Sequence, residues 1–227
     1  MERLPKSIQA QVICYPQTGP GGYDNLLAHV REVAAQLPAL YVLGSSFGGP
    51  LAIQLAAAEP AKVKGLILCA SFVRAPIRSL PGLRFAVRGP FVWLLRFARR
   101  IPLWIRRERR DPLRIAKSET WSRVPARALA ARARAALAAD VRALLRACTS
   151  PVLAIEFAED TVVPRRSGDE IRDARPSARR ITLRGGHLAV HADPAPVVAE
   201  VCRFIEEIEA GSLAVGAFKP PPSAARA

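Results

Sequence analysis

The stretch Gly44-Ser45-Ser46-Phe47-Gly48 constrains this chain more than any other part of it. An apolar run, Leu40-Tyr41-Val42-Leu43, leads straight into it, and a helix-like run, Pro50-Leu51-Ala52-Ile53-Gln54-Leu55-Ala56, leads straight out. A serine on so sharp a strand-to-helix turn has its hydroxyl held exposed, the condition under which a nearby base can make it a nucleophile. Glycines two residues before and two after are needed because side chains there would collide with neighbouring backbone. The bare G-x-S-x-G pattern is weak; a strand before it and a helix after it make it a statement about fold.

The rest of the chain supplies a sheet to hold that turn. Gln11-Val12-Ile13-Cys14-Tyr15 is β-branched and closed by Pro16, so a strand is expected there, followed by the loop Gln17-Thr18-Gly19-Pro20-Gly21-Gly22. Leu26, Leu27, Val30, Val33 and Ala34 recur at helical spacing before Pro38, which predicts a helix over residues 23–37. The elbow strand and a helix to about Glu59 come next, then a strand at Gly65-Leu66-Ile67-Leu68-Cys69-Ala70. Beyond the break described below, strands are expected at residues 151–157 and 180–184, a helix at about 166–174, and a last helix at about 194–210 with Val197, Val198, Val201, Phe204 and Ile205 on one face. Strands alternating with helices give an α/β fold, a mostly parallel sheet covered by helices on both faces.

Residues 74–147 interrupt that rhythm with helical patterns and no convincing strand, which marks an inserted helical cap. The domain is therefore expected over residues 1–210, with core 11–73 and 148–210, and residues 211–227, ending in a proline run, form a disordered tail. Within the insertion, segment 84–110 mixes arginines with Phe85, Phe91, Trp93, Phe97, Leu103 and Trp104. As a lid it would turn its apolar groups to a substrate and its arginines to water; a basic amphipathic segment also fits peripheral contact with an anionic membrane surface.

Two residues complete the chemistry of Ser46. Asp160 follows the expected 151–157 strand, and His187, in Arg184-Gly185-Gly186-His187, follows the next one. In an open parallel sheet the carboxyl ends of strands line one crevice, so Ser46, Asp160 and His187 should converge. His187 would take the Ser46 proton, Asp160 would fix the imidazole tautomer, and the Phe47 N–H would donate to the oxyanion. His29 and His191 lack such placement and read as surface or packing residues; Glu156 and Glu159 are reserve acids, and Asp140 reads as a solvated helix residue.

These residues resemble the α/β-hydrolase superfamily, in particular its small bacterial members of general esterase type. The likeness is carried by Gly44-Ser45-Ser46-Phe47-Gly48-Gly49, Lys64-Gly65-Leu66-Ile67-Leu68-Cys69-Ala70, Asp160-Thr161-Val162-Val163-Pro164, and Gly185-Gly186-His187 leading to Asp193-Pro194, over about residues 11–72 and 148–207. It implies a serine hydrolase that cleaves a carboxylic ester or thioester of a small apolar substrate through an acyl-enzyme, without metal or organic cofactor. The family sheet begins with more strands, one of which carries a second oxyanion donor on a His-Gly or Pro-Gly loop. Here the first expected strand matches the family's fourth, an N-terminally shortened version. Three accounts stay open: Met1 is internal to a longer protein, the loop Thr18 to Gly22 has taken over the oxyanion position, or the chain is a non-catalytic relative that binds a small ligand or a partner.

Charge and cysteines bound the remaining classes. A net charge of +15 invites nucleic acid as a partner. Against that, the only lysines are Lys6, Lys62, Lys64, Lys117 and Lys219, alanine and proline are abundant beside arginine, and no nucleic-acid motif accompanies the charge. That pattern is what GC-rich coding produces. Cys14, Cys69, Cys148 and Cys202 have no C-x-x-C spacing, and free, mostly buried thiols in the cytoplasm are expected.

Overall fold

A computed structural model describes residues 4–5, 8–19, 21–77, 87 and 124–212. Its elements run α1 (Tyr23–Ala35), β1 (Leu40–Ser45), α2 (Gly48–Ala58), β2 (Val63–Cys69), α3 (Ala126–Ala138), α4 (Arg142–Ala147), β3 (Val152–Phe157), α5 (Arg166–Ala174), β4 (Arg179–Leu183), α6 (Ala189–Ala192) and α7 (Ala195–Glu209). The strands form one parallel sheet in the order β1-β2-β3-β4.

Period-two alternation along the central strands builds the core on both faces of this sheet. Leu66 and Leu68 of β2, with Val152 and Ala154 of β3, pack against Ile53 of α2, Leu145 of α4 and Ile171 of α5. Ile67, Cys69, Leu153 and Ile155 face the other way, onto Val197, Val201 and Phe204 of α7. A further apolar cluster joins α1 to α2 through Leu26, Val30, Leu51 and Leu55. With β2 and β3 buried along nearly their whole length, the sheet is fixed in register and its carboxyl ends are brought side by side.

The structure differs from the expected fold at three places. Residues 11–15 are not a strand: they run without a ladder, with Val12 66% exposed and Cys14 exposed rather than buried. Cys14 O meets His29 Nε2 at 3.3 Å, and Pro16 O, just beyond the segment, accepts from Arg132 Nη2 at 2.8 Å, while Ile13 and Tyr15 pack on the α1–α2 cluster. Asp140 is not helical; it bridges to Arg74 and its carboxylate chelates the Arg142 guanidinium at 2.8 and 2.6 Å, just ahead of α4. And α4, which lies within the expected insertion, belongs to the sheet-packing core through Val141 and Leu145. Segment 84–110, apart from Val87, lies outside the described residues, as does nearly all of the expected tail. No helix of the described residues is long and apolar enough to cross a membrane.

Candidate active site

The mount of Ser46 starts with close packing. A Cβ on Gly44 would fall 2.5 Å from Gly48 O and 2.7 Å from both Ala52 Cβ and Gly49 Cα, so only glycine lets β1 approach α2 this closely. Ser46 then takes left-handed backbone, φ 50°, a conformation that a residue with a Cβ holds only when its surroundings over-determine it. They do: Ser46 N–H donates to Cys69 O of β2 at 2.9 Å, and Ser46 O accepts from Gly49 N–H at 3.0 Å and from the Ser71 hydroxyl at 2.9 Å. Phe47 is the N-cap of α2, so the positive end of that helix lies directly beyond the serine.

Phe47 is itself clamped. Its ring stacks on Tyr23, centroids 4.7 Å apart at 15°, and meets Tyr15 edge-on at 6.0 Å; the Tyr23 hydroxyl donates to Phe47 O at 3.0 Å. Burial pushes the Tyr23 hydroxyl far above the ordinary phenol range, so it stays a donor. Arg132 of α3 sits 5.5 Å from the Tyr15 ring centroid, which ties residues 15–16 to the inserted helix. Burial lowers the Arg132 pKa, the Tyr15 hydroxyl working against it, and burial raises that of Tyr15. In the loop Thr18 to Gly22, of which Pro20 lies outside the described residues, Gly21 rests on α3, where a Cβ would lie 3.2 Å from Ala131 Cβ, while Thr18 and Gly19 are exposed.

Asp160 and His187 arrive from the ends of β3 and β4. The Asp160 Oδ1 atom accepts the Val162 and Val163 N–H groups at 2.8 and 2.9 Å, leaving Oδ2 for His187 Nδ1 at 2.8 Å. His187 Nε2 lies 2.9 Å from Ser46 Oγ. A carboxylate only accepts, so Nδ1 carries the proton and Nε2 is free to accept the serine O–H. Both partners are shielded, with 13% of the His187 side chain and 6% of the Asp160 side chain exposed. The two loops are laced together: Glu159 N–H donates to Gly185 O at 3.0 Å, and the Glu159 carboxylate accepts the Gly185 N–H. Gly185 has φ 111°, which needs glycine.

The three expected site residues thus meet in one hydrogen-bonded line. The reserve acids are engaged elsewhere, Glu156 with the Arg180 guanidinium and Glu159 with the histidine loop. His191 is exposed on α6, and His29 reaches Cys14 O. Sequence reasoning missed Tyr23, Arg132 and Ser71; the one local signal was Ser71, a polar residue ending an apolar run. Among the described residues no three His, Cys, Asp or Glu side chains gather where a metal ion would sit.

Comparison with known proteins gives the family. Residues 22–191 match the family described as serine aminopeptidase, S33. The chain belongs to that family, and so to the α/β-hydrolases. Among solved structures, the enol-lactonase from Burkholderia xenovorans LB400 superposes with a TM-score of 0.68 at 21% identity, covering 84% of this chain and 75% of that one. A carboxylesterase structure from the Thaumarchaeon Nitrososphaera gargenis gives 0.63 at 20%, covering 84% and 74%. A thermophilic esterase from Thermogutta terrifontis gives 0.63 at 19%, covering 87% and 75%. At these identities the likeness speaks for the fold alone. No curated protein sequence matches significantly. The chain is a hydrolase with an α/β-hydrolase fold, and its N-terminal segment enters the site as a packed coil, not as the strand expected at residues 11–15.

Proposed function

We propose that the protein is a serine esterase that cleaves a carboxylic ester or thioester with a small apolar acyl group through an acyl-enzyme. The observation that carries the reading is the continuous line from Asp160 Oδ2 through His187 to Ser46 Oγ, at 2.8 and 2.9 Å. Ser46 Oγ attacks the substrate carbonyl carbon while its proton passes to His187 Nε2, and the carbonyl electron pair moves onto oxygen. The Phe47 N–H, at the start of α2, donates to that oxyanion. Collapse of the intermediate breaks the bond to the leaving group, which takes the proton from His187 and departs as alcohol or thiol. Water then repeats the sequence on the acylated serine and releases the acid. Asp160 holds the ring and stabilises the imidazolium that forms.

Esters rather than peptides are favoured by the solved structures described as esterases and as an enol-lactonase. In sequence, segment 84–110 is rich in apolar residues of the kind that favour an apolar acyl group. Four free cysteines, two of them buried, fit work in the cytoplasm. The test is pre-steady-state hydrolysis of p-nitrophenyl acetate, with an acetyl thioester and an aminoacyl p-nitroanilide as comparison substrates. A burst of one equivalent of p-nitrophenol per protein, absent in Ser46→Ala, is the expected result. Turnover that survives Ser46→Ala, or turnover of the anilide alone, overturns the reading.

A further inference from the structure

Two residues other than glycine have left-handed backbone among the described residues, Ser46 at φ 50° and Ala70 at φ 47°, and they close the neighbouring strands β1 and β2. The strain at Ser46 belongs to the nucleophile turn. Ala70 reacts with nothing, so its strain calls for a separate account. Its effect is to turn the chain at the end of β2 so that the next residue, Ser71, only 5% exposed, reaches back and donates to Ser46 O at 2.9 Å. Space for that hydroxyl comes from the second glycine after the elbow: a Cβ on Gly49 would lie 1.6 Å from Ser71 Oγ and 2.6 Å from Ser71 Cβ.

A strained alanine, a bare glycine and a buried hydroxyl therefore converge on one carbonyl. That carbonyl does not need Ser71 to be satisfied, because Gly49 N–H already donates to it at 3.0 Å. The gain lies at the other end of the same peptide. Ser46 C=O and Phe47 N–H belong to one planar unit, so a grip on the oxygen fixes the direction of the N–H. A second hydrogen bond on the oxygen also polarises the unit and strengthens its N–H as a donor.

We propose that Ser71 is a positioning residue for the oxyanion donor: it holds the 46–47 peptide so that the Phe47 N–H is aimed before substrate arrives. The proposal rests on the esterase reading above. It is tested with Ser71→Ala, by kcat and KM on p-nitrophenyl acetate and by inhibition with benzeneboronic acid, which adds to the serine and places an oxygen where the oxyanion forms. Losing an aimed but still present donor should cost less than the 10²–10³ of removing one, so kcat is expected to fall about tenfold. KM should stay nearly constant and the boronate inhibition constant should rise by about the same factor as kcat falls. Thermal stability should drop by about 2–4 °C, as for loss of one ordinary hydrogen bond. Unchanged kcat and boronate affinity overturn the proposal, as does a loss in which KM rises in step with the fall in kcat and in boronate affinity, the mark of a merely loosened site. Ser71→Cys, which fills the space with a weak donor, carries the same expectation if the alanine variant does not fold. A wild-type protein without the acyl-enzyme burst overturns the esterase reading itself, whereas an active wild type with an unaffected Ser71→Ala overturns only the role of Ser71.

Discussion

The proposed nucleophile and the proposed base are mounted in opposite ways. Ser46 is held by backbone: a glycine that lets β1 touch α2, a left-handed turn, and three hydrogen bonds on its own peptide groups. His187 is held by polar side chains at the end of the outer strand β4, through Asp160 on its ring and Glu159 on its loop. The strands that carry them differ little, since β1 buries only Gly44 fully and β4 has no fully buried residue, so the contrast lies in the mounts themselves. A nucleophile must be presented at one fixed point, whereas a base exchanges protons with two partners in turn and gains from a mount set by hydrogen bonds. Changes at the base end should therefore cost activity without stability, and changes at the nucleophile end should cost both.

The largest effect is expected from His187→Ala, which should lower ester hydrolysis by about 10⁴-fold or more. Because His187 stands outside the apolar clusters of the core, the melting temperature of the variant should stay within about 2 °C of wild type in a thermal scan. A large drop in melting temperature would break the contrast. Gly44→Ala should act in reverse, destabilising the protein by about 3 kcal/mol or more, because the atoms its methyl would strike are mostly backbone and cannot turn aside. Cys69 reports on this change from beneath the elbow: burial, helped by the Asp160 charge, pushes its thiol up to about 12, so at pH 8 it is protonated and shielded. Alkylation of Cys69, followed by mass spectrometry, should be slow in wild type and faster in Gly44→Ala, while exposed Cys14 reacts readily in both.

Smaller effects sharpen the comparison. Tyr23→Phe removes the hydroxyl on Phe47 O while keeping the ring stack, and should cost about 1 kcal/mol in urea unfolding, with a smaller loss of kcat. Glu159→Gln weakens only the brace on the histidine loop and should reduce kcat two- to threefold, about 0.5 kcal/mol, with the melting temperature unchanged. A Glu159→Gln variant that unfolds more readily than Tyr23→Phe would mean the base mount carries the fold after all.

What the sequence made legible follows from the same physics. Ser46, Asp160 and His187 could each be placed because each directly follows an apolar strand, a local pattern, and a parallel sheet brings strand ends together. The helix at Arg166–Ala174 was readable for a similar reason, its pattern and boundaries being local. Residues 11–15 misled because β-branched residues make a strand only where a neighbour offers a ladder, and here the segment runs without one, with His29 on Cys14 O and Arg132 on the carbonyl of Pro16 just beyond it. Asp140 looked helical from the residues that follow it, yet its pairing with Arg74 is long-range. The braces on the elbow, from Tyr23 and Ser71, were hidden because each spans more than twenty residues and leaves no periodic trace.

We propose that His187, oriented by Asp160, makes Ser46 a nucleophile. The most direct test is reaction of the folded protein with a fluorophosphonate probe, followed by peptide mass spectrometry of wild type, Ser46→Ala and His187→Ala. The prediction is one phosphonyl adduct per chain, located on Ser46, absent from Ser46→Ala and formed far more slowly in His187→Ala. A folded wild-type protein that stays unlabelled, or an adduct on Ser46 that forms equally fast without His187, would contradict it.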